Sequence, residues 1–101
     1  MLDTRVPVVA LSCWSVMLVD DCDIYITGWD IWEGRGRVSG LIREFNTADK
    51  IAKSVGGVTY ELLYSPAFNS DAFHEWSSWV AKNKVTKYED VTASYAKPKK
   101  A

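Results

Sequence analysis

Residues 6–19 are β-branched or bulky with little interruption, and no other segment constrains the fold of this chain as strongly. A helix that crosses a bilayer needs about twenty consecutive apolar residues, so this run is too short to span a membrane. Its length does match the apolar core of a secretory signal, but the flanks do not. Arg5 is the only basic side chain before it and is accompanied by Asp3, while Asp20, Asp21, Cys22 and Asp23 follow where a small-x-small cleavage site would stand. The run therefore reads as one long or broken buried β-strand. Pro7, near its start, is tolerated where a strand edge can do without one N–H.

The following segments carry the marks of further strands. Asp20 and Asp21 suit a turn, because short carboxylates hydrogen-bond their own backbone. In Asp23, Ile24, Tyr25, Ile26, Thr27 the two isoleucines alternate with Tyr25 and Thr27, as in a half-buried strand that Gly28 ends or bulges. Residues 37–45 read as a third strand with Val38, Ile42 and Phe45 turned inward, and Asn46, Thr47, Ala48 and Asp49 as a turn. The next stretch is ambiguous. Ala48, Ile51, Ala52 and Val55 have helical spacing, yet Gly56-Gly57 leads into a second apolar run over 58–64, which is a hairpin signal and favours a β-meander.

After Ser65 and Pro66 the period changes. Asn69 or Ser70 can cap a helix beginning near Asp71, with Phe73, Trp76, Trp79 and Val80 on one stripe and Glu75, Ser77, Ser78 and Lys82 facing away. Thr86 and Glu89 have the spacing of a capping box, which predicts a short helical turn through about Tyr95. The fold class that follows is α+β: a twisted antiparallel sheet or small SH3-like barrel of about five strands, with one C-terminal amphipathic helix packed on it. At 101 residues the chain fits one globular domain, placed at 1–96, with a disordered basic tail over 97–101.

Nothing in the residues suggests an enzyme or a cofactor. The one histidine, His74, has no Ser or Cys at a motif spacing, and it falls on the lateral face of the predicted helix. Asp20, Asp21 and Asp23 lack the further oxygen ligands and fixed glycine of a calcium loop. Cys13, Cys22 and His74 make at most three zinc ligands with no pairing pattern. The two cysteines, too few for a disulfide scaffold, read as near-core thiols in a reducing, cytoplasmic compartment.

Aromatic content is more informative. Five tryptophans exceed what a core of this size easily hides, so Trp14, Trp76 and one of Trp29 or Trp32 are expected inside and the remaining indole outside. That indole stands beside Arg35 and Arg37, and Trp with Arg is the pairing that dominates interface hot spots. The candidate partner-binding residues are therefore Trp29, Asp30, Trp32, Glu33, Arg35 and Arg37. Charge is also uneven: residues 1–34 hold six acids and one base, and residues 35–101 seven acids and eleven bases. Asp20, Asp21 and Asp23 thus form a candidate mimic of nucleic-acid phosphate.

A compact chain of this length, rich in Trp and Tyr, split in charge and without an enzymatic motif, resembles the small accessory proteins encoded by phages and prophages, anti-CRISPR inhibitors among them. The resemblance is one of overall character and transfers no residue roles. It implies a non-catalytic binding protein that inhibits a host defence complex, its partner a host protein or ribonucleoprotein. Two other readings stand beside it. A small barrel could bind nucleic acid through Arg35, Arg37, Arg43, Lys50 and Lys53, a reading weakened by a pI of about 5.7. A small-molecule binder or enzyme subunit would need a concave apolar pocket. An exposed strand edge or Trp patch would also suit a homodimer.

Overall fold

The computed structural model describes residues 8–96; the expected loose start and the basic tail over 97–101 lie outside the described residues. In chain order the elements are β1 (Val8–Val19), β2 (Asp23–Asp30), β3 (Arg35–Val38), β4 (Ile42–Asn46), β5 (Ile51–Ser54), β6 (Thr59–Leu62), α1 (Ser70–Lys82), β7 (Tyr88–Asp90) and α2 (Thr92–Ala96). The strands hydrogen-bond in the order β3-β2-β4-β5-β6-β1-β7, and a further β1–β2 pairing closes β1, β2, β4, β5 and β6 into a five-strand barrel. The architecture is α+β, a small SH3-like barrel with added strands and helices.

Barrel and helix share one strand, and a bulge makes the sharing possible. Leu11 pairs with Asp30 and Ser12 with Trp29, but Ser15 pairs with Thr27, so Cys13 and Trp14 together stand opposite Gly28. The extra residue reverses the side-chain alternation. Before it the odd positions Val9 and Leu11 point into the barrel; after it the even positions Trp14 and Val16 do so. The odd positions Met17 and Val19 are thereby released to the outer face, where they pack with Trp76 of α1. Strand β1 is buried on both faces, and for that reason its sequence is a nearly continuous apolar run.

The bulge has local requirements. Cys13 adopts φ 48°, a left-handed conformation that costs an L-residue about 1–2 kcal/mol. A Cβ on Gly28 would lie 3.0 Å from Ser12 O and 3.1 Å from Trp14 Cα, so glycine lets the strand approach the bulge closely. The residue does not end β2, which continues to Asp30. Residues 8–11 of β1 run parallel to β6, and residues 17–19 run antiparallel to β7.

The single strand expected over 37–45 is two strands. β3 pairs with residues 27–30 of β2, and β4 meets the same edge at Ile24. Between them the buried Ser39 serves both backbone groups of Ile26: its Oγ accepts the Ile26 N–H at 2.9 Å, and its own N–H donates to Ile26 O at 2.7 Å. The side chain thus lets the chain step from one strand to the next without orphaning a buried peptide. Residues 51–54 are a strand, not a helix, because the Asn46–Asp49 turn folds β5 back on β4, with the Asp49 N–H donating to Asn46 Oδ1 at 2.9 Å.

Helix α1 is capped by Asn69, whose Oδ1 accepts the Ala72 N–H at 2.8 Å. Trp76 is fully buried, stacked on Trp79 at 5.1 Å and met edge-on by Tyr88 at 5.2 Å. Two expectations are corrected. Phe73 does not join the buried stripe; it is exposed and pairs with Phe68 at 5.9 Å, because the N-terminal half of α1 seats Ala72 instead. Residues 86–89 do not open a helix: Tyr88–Asp90 extends the sheet, and α2 begins only at Thr92, whose N–H donates to Asp90 Oδ1 at 2.9 Å. From α2, Tyr95 packs on Phe45 at 4.7 Å, beside the barrel core.

α1 lies directly on the β3 backbone. A Cβ on Gly36 would fall 2.5 Å from Asp71 O and 2.8 Å from Ala72 Cα, both backbone atoms. Gly36→Ala is therefore expected to destabilise the fold by about 2 kcal/mol, within the overpacking range. Gly40→Ala, whose Cβ would meet nothing closer than 3.5 Å, should change stability little. Urea unfolding of the two variants tests this, and equal midpoints would show that the helix is not seated on Gly36.

Candidate functional site

β2 and β3 are joined by a four-residue turn over 31–34, and a buried carboxylate shapes it. Asp30 is only 2% exposed. Its Oδ1 accepts the N–H groups of Trp32 at 3.0 Å and Glu33 at 2.9 Å, and its Oδ2 accepts from Arg37 Nη1 at 3.1 Å. The Gly34 N–H donates to Asp30 O at 2.8 Å, with Gly34 at φ 68°, and the Ile31 N–H donates to Ala10 O at 3.1 Å. Held at both ends, the turn carries Trp32 outward with 64% of its surface exposed.

The six residues singled out from sequence thus fall into three groups. Trp32, Glu33 and Arg35 are exposed at the hairpin end, Trp29 and Arg37 are half-buried, and Asp30 is a scaffold residue with both carboxylate oxygens engaged. Below the tip, Arg35, Arg37 and Val38 of β3 face Glu75, Ser78, Trp79 and Lys82 of α1 across a groove of about 230 Å3. Trp79 is held firmly there, packed on Trp76 and against Tyr25 at 4.5 Å.

The acidic turn lies at the other end of β2, about 23 Å from Asp30 at the usual rise of a strand. Asp20 and Asp21 take left-handed φ values of 52° and 59°, and Asp21 Oδ2 accepts from Lys87 Nζ at 2.7 Å. That bond, with the Asp21 charge, raises the Lys87 ammonium pKa. Cys22, expected near the core, is exposed, and both cysteines are free thiols. A hydrogen bond to Asp23, and then the charge of Asp23, push the Cys22 thiol pKa up. Burial raises that of Tyr25, with a further contribution from Asp23.

The five cations of the nucleic-acid reading are not gathered on one track. Arg35 and Arg37 belong to the α1 groove, whereas Arg43 pairs with Glu44 at 3.2 Å and Lys50 Nζ donates to Thr47 O at 2.8 Å on the β4–β5 hairpin. Lys53 lines a separate hollow with Glu44 and Phe45.

One feature escapes the sequence reading. Phe68, Phe73 and Tyr88, all exposed, border a cleft floored by Cys13, Met17 and Thr27. Its volume of about 210 Å3 falls below the roughly 300 Å3 at which small-molecule pockets begin. Phe68 sits in a loop without periodicity, and Phe73 shares the helical spacing of the core stripe, so neither signals its exposure from sequence. His74 is exposed on α1. Among the described residues no three His, Cys, Asp or Glu side chains gather where they could hold a metal ion, and no helix is long and apolar enough to cross a membrane. Comparisons with protein-family models, curated proteins and solved structures give no match to this chain.

Two measurements test the local chemistry. Asp30→Ala strands the Arg37 guanidinium and two amide N–H groups, and is expected to lower stability by about 3 kcal/mol, with Asp30→Asn costing roughly half as much. A loss below 0.5 kcal/mol in urea unfolding, on the order of an ordinary surface substitution, would remove Asp30 from this role. A raised thiol pKa means less thiolate at a given pH, so iodoacetamide should alkylate Cys22 more slowly at pH near 8 than a cysteine in an unstructured peptide. Asp23→Asn should restore the faster rate, as followed by mass spectrometry; an unchanged rate contradicts the assigned cause.

Proposed function

We propose that this domain is a non-catalytic binding module that docks on a larger macromolecular partner through the β2–β3 hairpin, with Trp32 and Arg35 as its anchors. The observation that carries this reading is an indole left 64% exposed on a turn whose amides are bonded to a buried carboxylate. Exposed aromatic and guanidinium groups supply most of the energy in protein interfaces, and a turn fixed in advance loses little entropy on binding. Glu33 contributes at the rim of the same surface. Asp30 and Arg37 act by holding the tip in place.

The chain's resemblance in character to phage and prophage accessory proteins gives the class of partner, a host protein or ribonucleoprotein complex that the domain inhibits by covering one of its surfaces. The separation of Arg35 and Arg37 from Arg43, Lys50 and Lys53 favours a protein surface over a nucleic-acid track.

The test combines capture of the partner from host lysate with the double variant Trp32→Ala/Arg35→Ala. Loss of two hot-spot side chains should weaken binding by about a hundredfold or more. Because both side chains are exposed, Tm should stay within about 4 °C of the parent. Retained binding would place the interface elsewhere, and a large fall in Tm would make the tip structural.

A further inference from the structure

We infer that the partner segment seated beside the hairpin is an acidic peptide with a large apolar side chain, received in the groove between β3 and α1. This rests on the docking role proposed for the hairpin and names the chemistry of what docks. Three cations, Arg35, Arg37 and Lys82, line the groove; with Glu75 among them and the buried Asp30 paired to Arg37, the set keeps a net positive charge. The whole chain carries a net charge of −1, so this concentration of positive charge is local and selects an anion.

Two features set the form of that anion. Arg37 gives Nη1 to Asp30 while its side chain stays 30% exposed, so its orientation is fixed and its remaining N–H donors are left for a carboxylate. Trp79 presents a half-buried ring that is backed by Trp76 and Tyr25. A volume of about 230 Å3 suits one large side chain with a carboxylate beside it. A nucleic-acid strand would instead need cations strung along a path. Of the other basic residues, Lys84 lies just past the end of α1 and Lys87 is paired with Asp21, while on the β4–β5 hairpin Arg43 is paired with Glu44 and Lys50 with Thr47 O.

Random short peptides displayed on particles and selected on the immobilised full chain identify the preferred sequence without a known partner. The expected consensus holds two or more Asp or Glu around Trp, Phe or Leu. For a synthetic peptide of that consensus, affinity should fall as salt is raised. Lys82→Glu should weaken it about tenfold, and Glu75→Lys should tighten it about threefold, the sign change guarding against a mere folding defect. The Trp79 indole N–H resonance should shift on binding while those of the sealed Trp14 and Trp76 stay in place.

A neutral or basic consensus, no enrichment, or affinity indifferent to both charge variants would overturn the inference. So would tighter binding of an oligothymidylate at the same residues. Sensitivity to Lys82→Glu with indifference to Trp32→Ala keeps the groove and discards the hairpin reading. The reverse pattern discards the groove alone.

Discussion

The two buried faces of β1 are the constraint on which the other features depend. Its inner face supplies Val9, Leu11, Trp14 and Val16 to the barrel, and its outer face supplies Met17 and Val19 to the seat of α1. A regular strand cannot do both with this sequence, because side chains alternate strictly and Leu11 and Trp14 would point to opposite sides. The bulge at Cys13 and Trp14 removes the conflict at the cost of one left-handed residue and a tight approach to the backbone at Gly28.

The same strand pair fixes the candidate site. β2 lies between β1 and β3, and at its end Asp30 faces Leu11 across the sheet. Burying a carboxylate is unfavourable unless its lone pairs are used, and Asp30 satisfies them with two turn amides and one guanidinium. The constraint passes outward: the turn is set by Asp30, and Arg37 is drawn to its place at the groove wall by the same carboxylate. Thr27 joins the layers from beneath, its hydroxyl lying 3.0 Å from Arg37 O and 3.2 Å from Ala72 O in α1. Core, hairpin and helix thus form one connected arrangement.

The sequence made much of this legible. An uninterrupted apolar run indicates a strand buried on both sides, the alternation at 23–27 identifies the half-buried neighbour, and Gly56-Gly57 correctly favours a strand over 51–54. The rest was hidden for physical reasons. The break at 39–41 depends on one serine hydroxyl replacing a backbone partner, which no periodicity reveals. The spacing of Thr86 and Glu89 is that of a cap, but tertiary packing of Tyr88 on Trp76 overrides a local preference worth about 1 kcal/mol. At the candidate site, an exposed indole with basic neighbours could be read from residue type, but not that it is Trp32 in place of Trp29. Asp30 as scaffold, and the contribution of Trp79 and Lys82 from α1, remote from the hairpin in sequence, required the fold.

Counting tryptophans gives the right outline of the surface but an incomplete account of its cause. Trp14 and Trp76 are sealed, each in a separate core, because a shared strand creates two interiors in place of one. Trp29 and Trp79 are half-buried and Trp32 is out, so the aromatic surplus is smaller than a single-core estimate implies. Four of the exposed aromatic side chains fall in two settings that differ in charge. Phe68, Phe73 and Tyr88 border a cleft whose one charged lining residue is Asp90, whereas Trp32 tops the hairpin whose β3 strand gives Arg35 and Arg37 to the β3–α1 groove, at the far end of β2 from the acidic turn. A near-zero net charge conceals this separation. With a screening length of about 8 Å in physiological salt, the two ends of a strand about 23 Å long act as independent electrostatic surfaces. An approaching macromolecule therefore meets the local sign of the groove, and the chain average does not describe the encounter.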